Sequence, residues 1–287
     1  MKKSKAKAKT NNSKTIGLLI AATDTSAVWQ SYITAFQSAV SKSTTTPVSY
    51  DQQPLGGAGG DPQKYAKAAK QLVSDKVDVI VTAGELAAAA CKKATKTIPI
   101  VVASAGDLAA VAAPNLTGFT NGQVDPQILD ARIRRMNNKW NPIFVMVAGN
   151  DSVPPVKTAM DYVLGKLGKN KGYKISLKND ADVTNLQSTL ASHKKPNGVN
   201  VLYVCSDPFL RTNGNAIVDA AHAEGVKTMH EFAEWHTKHG GDLCYGLDFT
   251  KLFEKAAGYV VQILGRGVRV TKLPVIAAKP KDCVETP

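Results

Sequence analysis

Five stretches place small or polar residues directly after apolar runs: Ala22-Thr23-Asp24, Gly84-Glu85, Ser104-Ala105-Gly106-Asp107, Gly149-Asn150-Asp151 and Ser206-Asp207-Pro208. Such residues suit the binding of a small molecule. Glycine and alanine let a ligand approach the backbone, and free N–H groups at helix starts favour an anion such as a carboxylate. The same residue types are favoured helix caps, so capping accounts for each stretch taken singly. The binding reading rests on five such sites together, because ligands of open parallel sheets sit beyond the carboxyl ends of the strands.

Signatures of catalysis are weak or missing. Gly56-Gly57-Ala58-Gly59-Gly60-Asp61 is glycine-rich but lacks the GxGxxG order, and it follows the second strand where a dinucleotide fingerprint follows the first. Neither a GxxxxGK[ST] phosphate loop nor a GxSxG nucleophile elbow occurs. A helical metalloprotease site needs histidines four apart, whereas His236 comes six after His230, so His230, His236 and His239 read as surface histidines on a short helix rather than a zinc site. No metal and no cofactor is expected. Cys91, Cys205, Cys244 and Cys283 form no CxxC pair and read as buried free thiols, with a Cys205–Cys244 bridge open if their strands are neighbours.

The elements that position these residues alternate. With 287 residues, 44% hydrophobic and 21% charged, the chain is globular and long enough for about two domains. From Thr15, KTIGLLIAA reads as a buried strand, and Trp29, Tyr32, Ile33, Phe36 and Val40 lie on one face of the following helix. PVSYDQ is a strand; Asp61 caps a helix with Pro62 first, running to Asp75. VDVIVTAG, a helix over Glu85 to Thr95 and IPIVVASAGD follow. The alternation restarts after Asn115 to Thr120. Helices are expected over Pro126 to Asn138, Pro154 to Leu167, Asp182 to His193 and Arg211 to Glu224, and over Phe249 to Leu264, ended by Gly265. NPIFVMVAGND, GYKISLK, VNVLYVCSDP and VKTMH are strands between them, GGDLCYGLD is extended, and LPVIAAKP closes the chain. Strand and helix alternating in this way imply α/β architecture, with parallel sheets covered by helices in two lobes of similar size.

Six of the +13 formal charges are lysines of the first 14 residues, Lys2, Lys3, Lys5, Lys7, Lys9 and Lys14, leaving +7 on the body. The segment 1–14 reads as a disordered, solubilising tail; binding to nucleic acid or an anionic membrane is the other reading of such a run. It is too short for a helix-turn-helix reader, so no nucleic-acid partner is expected. The apolar run after it is short for a signal-peptide core, and nothing approaches a membrane span, so the chain as written carries no export signal.

Gly60-Asp61-Pro62, Val77-Asp78-Val79-Ile80-Val81, the run Ala94 to Val102 and Asn115-Leu116-Thr117-Gly118 are followed by a second set of motifs. These are Ser206-Asp207-Pro208-Phe209, Gly240-Gly241-Asp242, Tyr245-Gly246-Leu247-Asp248, Ala256-Ala257-Gly258-Tyr259-Val260 and Leu273-Pro274-Val275. Their order over residues 15 to 280 resembles the ABC-transporter substrate-binding proteins of the tryptophan/tyrosine-uptake type. The resemblance implies a type I periplasmic-binding fold: two Rossmann-like lobes with parallel sheets, joined by a three-crossing hinge. Crossings fall near Phe119 to Gly122, Tyr245 to Asp248 and Val275 to Ala278. Lobe one is then 15–120 plus 248–275, and lobe two 121–247 plus 276–287.

The implied function is capture of an amino-acid-like solute between the lobes for an ABC permease, without catalysis, by a monomer in the periplasm or outside the cell. A cytoplasmic ligand sensor or interaction protein on the same scaffold is the alternative, the location following if the chain as written is the native full length. The implied ligand-binding residues are Thr23, Asp24, Gly84, Glu85, Ala105, Gly106, Asp107, Asn121, Asn150, Ser206, Asp207 and Tyr245. Asp207 is the expected partner of a ligand amine, and Trp29 is either core or a stacking surface. Two residues depart from the family pattern: Glu85 stands where a small hydroxyl residue is common, and Asp107-Leu108 where Asp-Pro is. Glu85 repels a ligand carboxylate if it points into the cleft, and complements the helix dipole if it points away.

Overall fold

The computed structural model describes residues 13–20, 27–53, 61–109, 112–168, 170–205 and 207–286. The first sheet is built from β1 (Lys14–Ile20), β2 (Val48–Gln52), β3 (Val79–Ala83), β4 (Ile100–Ala105) and β5 (Leu116–Thr120). All pairs are parallel and the order is β2-β1-β3-β4-β5. Between them run α1 (Ala27–Ser43), α2 (Pro62–Ser74) and α3 (Glu85–Ala94). Because side chains alternate along a strand, Leu18, Val79 and Val81 enter the core under α1, while Leu19 and Ile80 enter a separate core under α2 and α3. Both faces are covered, as the unbroken apolar runs require.

The second sheet follows α4 (Pro126–Trp140). It alternates β6 (Phe144–Gly149), α5 (Pro154–Leu167), β7 (Gly172–Ser176), α6 (Asp180–Thr184), α7 (Leu186–His193), β8 (Asn200–Cys205), α8 (Pro208–Thr212), α9 (Gly214–Ala223), β9 (Lys227–His230), α10 (Glu234–His239) and β10 (Leu243–Gly246). Its order is β11-β10-β9-β8-β6-β7, where β11 (Val284–Thr286) adds antiparallel to β10. Before it, α11 (Phe249–Arg266) leaves the second sheet and packs on α1 and β4 of the first.

The chain passes between the sheets three times. The first passage follows β5, where Asn121 N–H bonds to the Ala105 carbonyl. The second links β10 to α11. In the third, Ile276 bridges Phe119 and Ala278 N–H donates to Thr120 Oγ1. The two lobes therefore exchange their C-terminal segments instead of following one another. Gly118 has φ +150° and presses against the Val102 carbonyl, a close approach that leaves no room for a side chain.

Several sequence expectations need correction. Lys14, counted with the tail, opens β1, and its ammonium meets Asp78 at 2.9 Å; residues 1–12 and the glycines 56, 57, 59 and 60 lie outside the described residues. The helix expected from Asp182 starts at Asp180 and breaks at Asn185, and that expected from Arg211 starts at Pro208 and breaks at Asn213. The last helix runs through Gly265 and ends at Gly267, whose φ of +64° supplies the left-handed cap. All four cysteines are free: β9 separates the strands of Cys205 and Cys244, about 10 Å at the usual strand spacing and beyond disulfide reach.

Candidate ligand cleft

The carboxyl ends of β3 and β4 face α5, α8 and the loop after β9 across a cavity between the sheets. Lobe one contributes Trp29, Ala83, Gly84, Ser104 and Phe249; the first crossing contributes Asn121 and Gln123. Lobe two closes it with Val153, Val156, Asp207, Pro208, Arg211 and Phe232. The space enclosed is about 40 Å³, against roughly 300 Å³ and upward for ordinary small-molecule pockets. The lobes are drawn together, and the space between them is smaller than a metabolite.

Side chains hold this closed arrangement directly. Arg211 Nη1 donates to Glu234 Oε1 at 2.5 Å and to the Tyr32 hydroxyl at 3.0 Å, and Tyr32 itself donates to Glu234 Oε1 at 2.6 Å. Tyr32 belongs to α1 on lobe one, whereas Arg211 and Glu234 belong to lobe two. The Arg211 guanidinium lies 3.7 Å from the Phe249 ring centre and 4.2 Å from that of Phe232, so an aromatic from each lobe packs on its π-face. Burial pushes the Tyr32 phenol far above its usual range, the Arg211 charge opposing and Glu234 reinforcing, so it stays a neutral donor.

Three buried polar atoms in the cavity wall have no hydrogen-bond partner among the described residues: Trp29 Nε1, Ser104 Oγ and Arg211 Nη2. An unsatisfied buried group costs about 1–3 kcal/mol. Asp207 is better served. Its Oδ1 caps α8 by accepting from Leu210 N–H at 2.7 Å, and the Asn150 amide also bonds the carboxylate. Burial nevertheless raises its pKa to about 6, with those hydrogen bonds and the Arg211 charge opposing the rise.

Of the residues expected at the site, Gly84, Asn121 and Asp207 line the cavity, and Asn150 acts through Asp207. Thr23, Asp24 and Ser206 lie outside the described residues. Glu85 does not line the cavity. Its Oε1 accepts from Gly106 N–H and, at 3.0 Å, from Asp107 N–H, stapling α3 to the loop after β4. Burial raises its pKa and those N–H groups oppose the rise. Gly106 faces Pro155 of lobe two and Gln123 so closely that a methyl group would collide with both. Ala105 contributes its carbonyl to Asn121, and the Asp107 carboxylate turns back to Ala109 N–H at 2.8 Å. Tyr245 lies away from the cavity; its hydroxyl donates to the Pro280 carbonyl and its ring lies under Arg135 at 3.7 Å.

The sequence reading missed Arg211, Gln123, Phe232, Phe249, Val153 and Val156. One signal was present: a residue four after the cap Asp207 falls on the same side of the helix start, which places Arg211 beside it. Trp29 is a core residue, edge-on to Tyr32, Phe249 and Phe253, that also reaches the cavity wall. The three histidines do not converge. His230 is buried at the end of β9, stacked on Trp235 at 4.2 Å with its pKa lowered by burial to about 3, which corrects its reading as a surface residue. His236 and His239 bond the Gly241 carbonyl and Asn215. Among the described residues no group of three or more His, Cys, Asp or Glu side chains could hold a metal ion, and no helix is long and apolar enough to cross a membrane.

Two lobes of mostly parallel sheet, three crossings and a cavity at the strand ends between them define the type I periplasmic-binding fold. The chain belongs to the ABC transporter substrate-binding protein family, which matches residues 36–284. No curated protein matches the sequence. Among solved structures it is similar to a conserved domain protein from Vibrio cholerae, with 20% identity, 93% of this chain and 89% of that one covered, and a TM-score of 0.74. It is also similar to the ABC domain in complex with L-Trp from Streptococcus pneumonia (17% identity, 94% and 91% covered, TM-score 0.72). A third is a carbohydrate transporter solute-binding protein from Agrobacterium radiobacter in complex with D-arabinose (12% identity, 96% and 94% covered, TM-score 0.66). At these identities the likeness shows the fold alone. The family implies a small-molecule ligand and a permease partner.

Proposed function

We propose that the protein captures an amino-acid-like solute in the interlobe cavity by hinge closure and delivers it to an ABC permease, as a monomer acting without catalysis on the periplasmic or extracellular side. Residues 15–120 with 248–275, and 121–247 with 276–287, are the two moving bodies in this reading. The observation that carries it is Asp207, a buried carboxylate in the cavity wall whose ionised form a ligand ammonium would stabilise. Gly84 and Asn121 line the same wall, Asn150 orients Asp207, and the stretches holding Thr23, Asp24 and Ser206 follow β1 and β8 in sequence. Ala105, Glu85, Gly106 and Asp107 serve the closing edge rather than the ligand.

Closure is then a population shift, driven by contacts that a ligand makes with both lobes only when they meet. Thermal unfolding across amino acids, purines, sugars and short acids tests the reading. A one-site ligand at 100 times its Kd stabilises by about 2.7 kcal/mol. An unmoved transition across all four classes would refute solute capture.

A further inference from the structure

From the three unpartnered atoms in the cavity wall we infer that this cleft is built to hold a carboxylate, with Arg211 as the residue that selects it. The inference rests on the cleft being the solute site. Arg211, Ser104 and Trp29 are each 2% exposed, so bulk water does not satisfy them. Arg211 Nη2 and Trp29 Nε1 can only donate, and Ser104 Oγ can donate. A carboxylate is acceptor-only and matches three donors. A neutral acceptor such as a sugar oxygen can meet the same donors but lacks the charge that makes hydrogen bonds to a guanidinium about twice as strong.

The guanidinium is held in place before any ligand arrives. Its other terminal nitrogen is fixed by Glu234 and Tyr32, and its faces by Phe249 and Phe232. Glu234 already faces the Arg211 guanidinium, so a ligand acid shares this cation, while a ligand ammonium would be balanced at Asp207. An amino acid satisfies both walls. The donors also come from both lobes, Ser104 and Trp29 from the first and Arg211 from the second. Only the closed form presents all three, which couples acid recognition to closure.

The test is calorimetric titration of the whole chain with the twenty L-amino acids, the C-terminal amide of each one that binds, D-arabinose and myo-inositol. The expected result is a preference for each acid over its own amide of roughly 30-fold, the range of a charge-assisted hydrogen bond. That preference should fall below about 3-fold in Arg211→Gln and drop severalfold in Ser104→Ala. A merely structural arginine would weaken acid and amide alike and leave their ratio unchanged, so an unchanged ratio in folded Arg211→Gln overturns the inference. If that variant does not fold, Ser104→Ala and Trp29→Phe decide, and an unaltered ratio in both overturns it. Binding of the sugars alone, or equal binding of acid and amide by the natural protein, overturns carboxylate selection but leaves solute capture standing. Binding of no probe overturns the inference, and the four-class thermal screen then decides solute capture by itself.

Discussion

Arg132 and Arg211 are both buried arginines, and they differ in what remains after their partners are counted. Arg132, fully buried on α4, donates through Nε to the Tyr245 carbonyl at 2.8 Å, through Nη1 to Glu231 Oε1 at 3.3 Å and through Nη2 to the Glu231 carbonyl at 2.9 Å. It lies just after the first crossing and ties down the end of β10 just before the second. Arg211 spends one terminal nitrogen on Glu234 and Tyr32 and leaves the other without an acceptor. Every bond of Arg132 stays within one lobe, whereas the Tyr32 contact of Arg211 joins the two. Complete satisfaction marks a scaffold; a remainder at a cavity wall marks a site. Burial alone does not separate the two.

The largest expected effect comes from breaking the scaffold. Arg132→Met leaves the buried Glu231 carboxylate with the Gln123 amide but without its cation, and losing one partner of a buried ion pair costs about 3–5 kcal/mol. Urea unfolding should show that loss as a lower midpoint with an unchanged slope, and adding Glu231→Leu should recover part of it. Arg211→Met should cost about 1–3 kcal/mol, because Glu234 is not fully buried and can rehydrate as the lobes part. Equal losses at the two positions would erase the distinction.

Asp207 sharpens the contrast through pH. Its pKa in the folded protein is about 6, above the value of roughly 3.9 for a free aspartate. The folded state therefore holds this proton more tightly than the unfolded chain. Stability from Asp207 is fully present below about pH 4 and is lost as pH rises through 6. Asp207→Asn should accordingly raise the Tm at pH 8 and leave it little changed at pH 4. Ligand affinity runs the other way: an ammonium ligand needs the ionised acid, so its binding should weaken about tenfold between pH 7 and pH 5. Among the described residues, the charges facing this carboxyl are Arg211 and, when ionised, Tyr65. Burial holds Tyr65 protonated throughout this range, so one titration should describe both curves.

The fold was legible because its determinants are local and repeated. Runs such as Val79 to Ala83 and Val201 to Cys205 read as strands covered on both faces, and Asp61-Pro62 marks a helix start by capping chemistry, whereas the helix at Asp207-Pro208 starts three residues before the expected start at Arg211. Breaks at Asn185 and Asn213 were not legible, since helix periodicity continues through them. The site was legible only in part. Gly84, Asn121 and Asp207 announce themselves by lying at strand ends or crossings, but Phe232 and Phe249 line the cavity because two distant segments meet there. Glu85 shows the limit most clearly. Its residue type spoke of charge in the cleft, yet its partners are the N–H groups of Gly106 and Asp107, twenty-one and twenty-two residues on.

The smallest predicted effect tests whether closing the lobes and choosing the ligand are separable. Lys238 on α10 donates to Ser31 Oγ of α1 at 2.7 Å and sits 4.3 Å from the Tyr32 ring centre, spanning the lobes at the outer edge of the Arg211 network. A partly exposed cation over an aromatic ring contributes about 0.5–1 kcal/mol. Lys238→Ala should therefore open the cleft slightly and weaken every ligand by about 2- to 5-fold. Acid and amide should weaken together, since Lys238 stands outside the cavity wall, so their ratio should match that of the natural protein. Calorimetry on the same acid and amide pair reads both numbers. A shifted ratio in Lys238→Ala would mean that selection is spread over the whole interlobe contact rather than seated in the one arginine with a donor to spare.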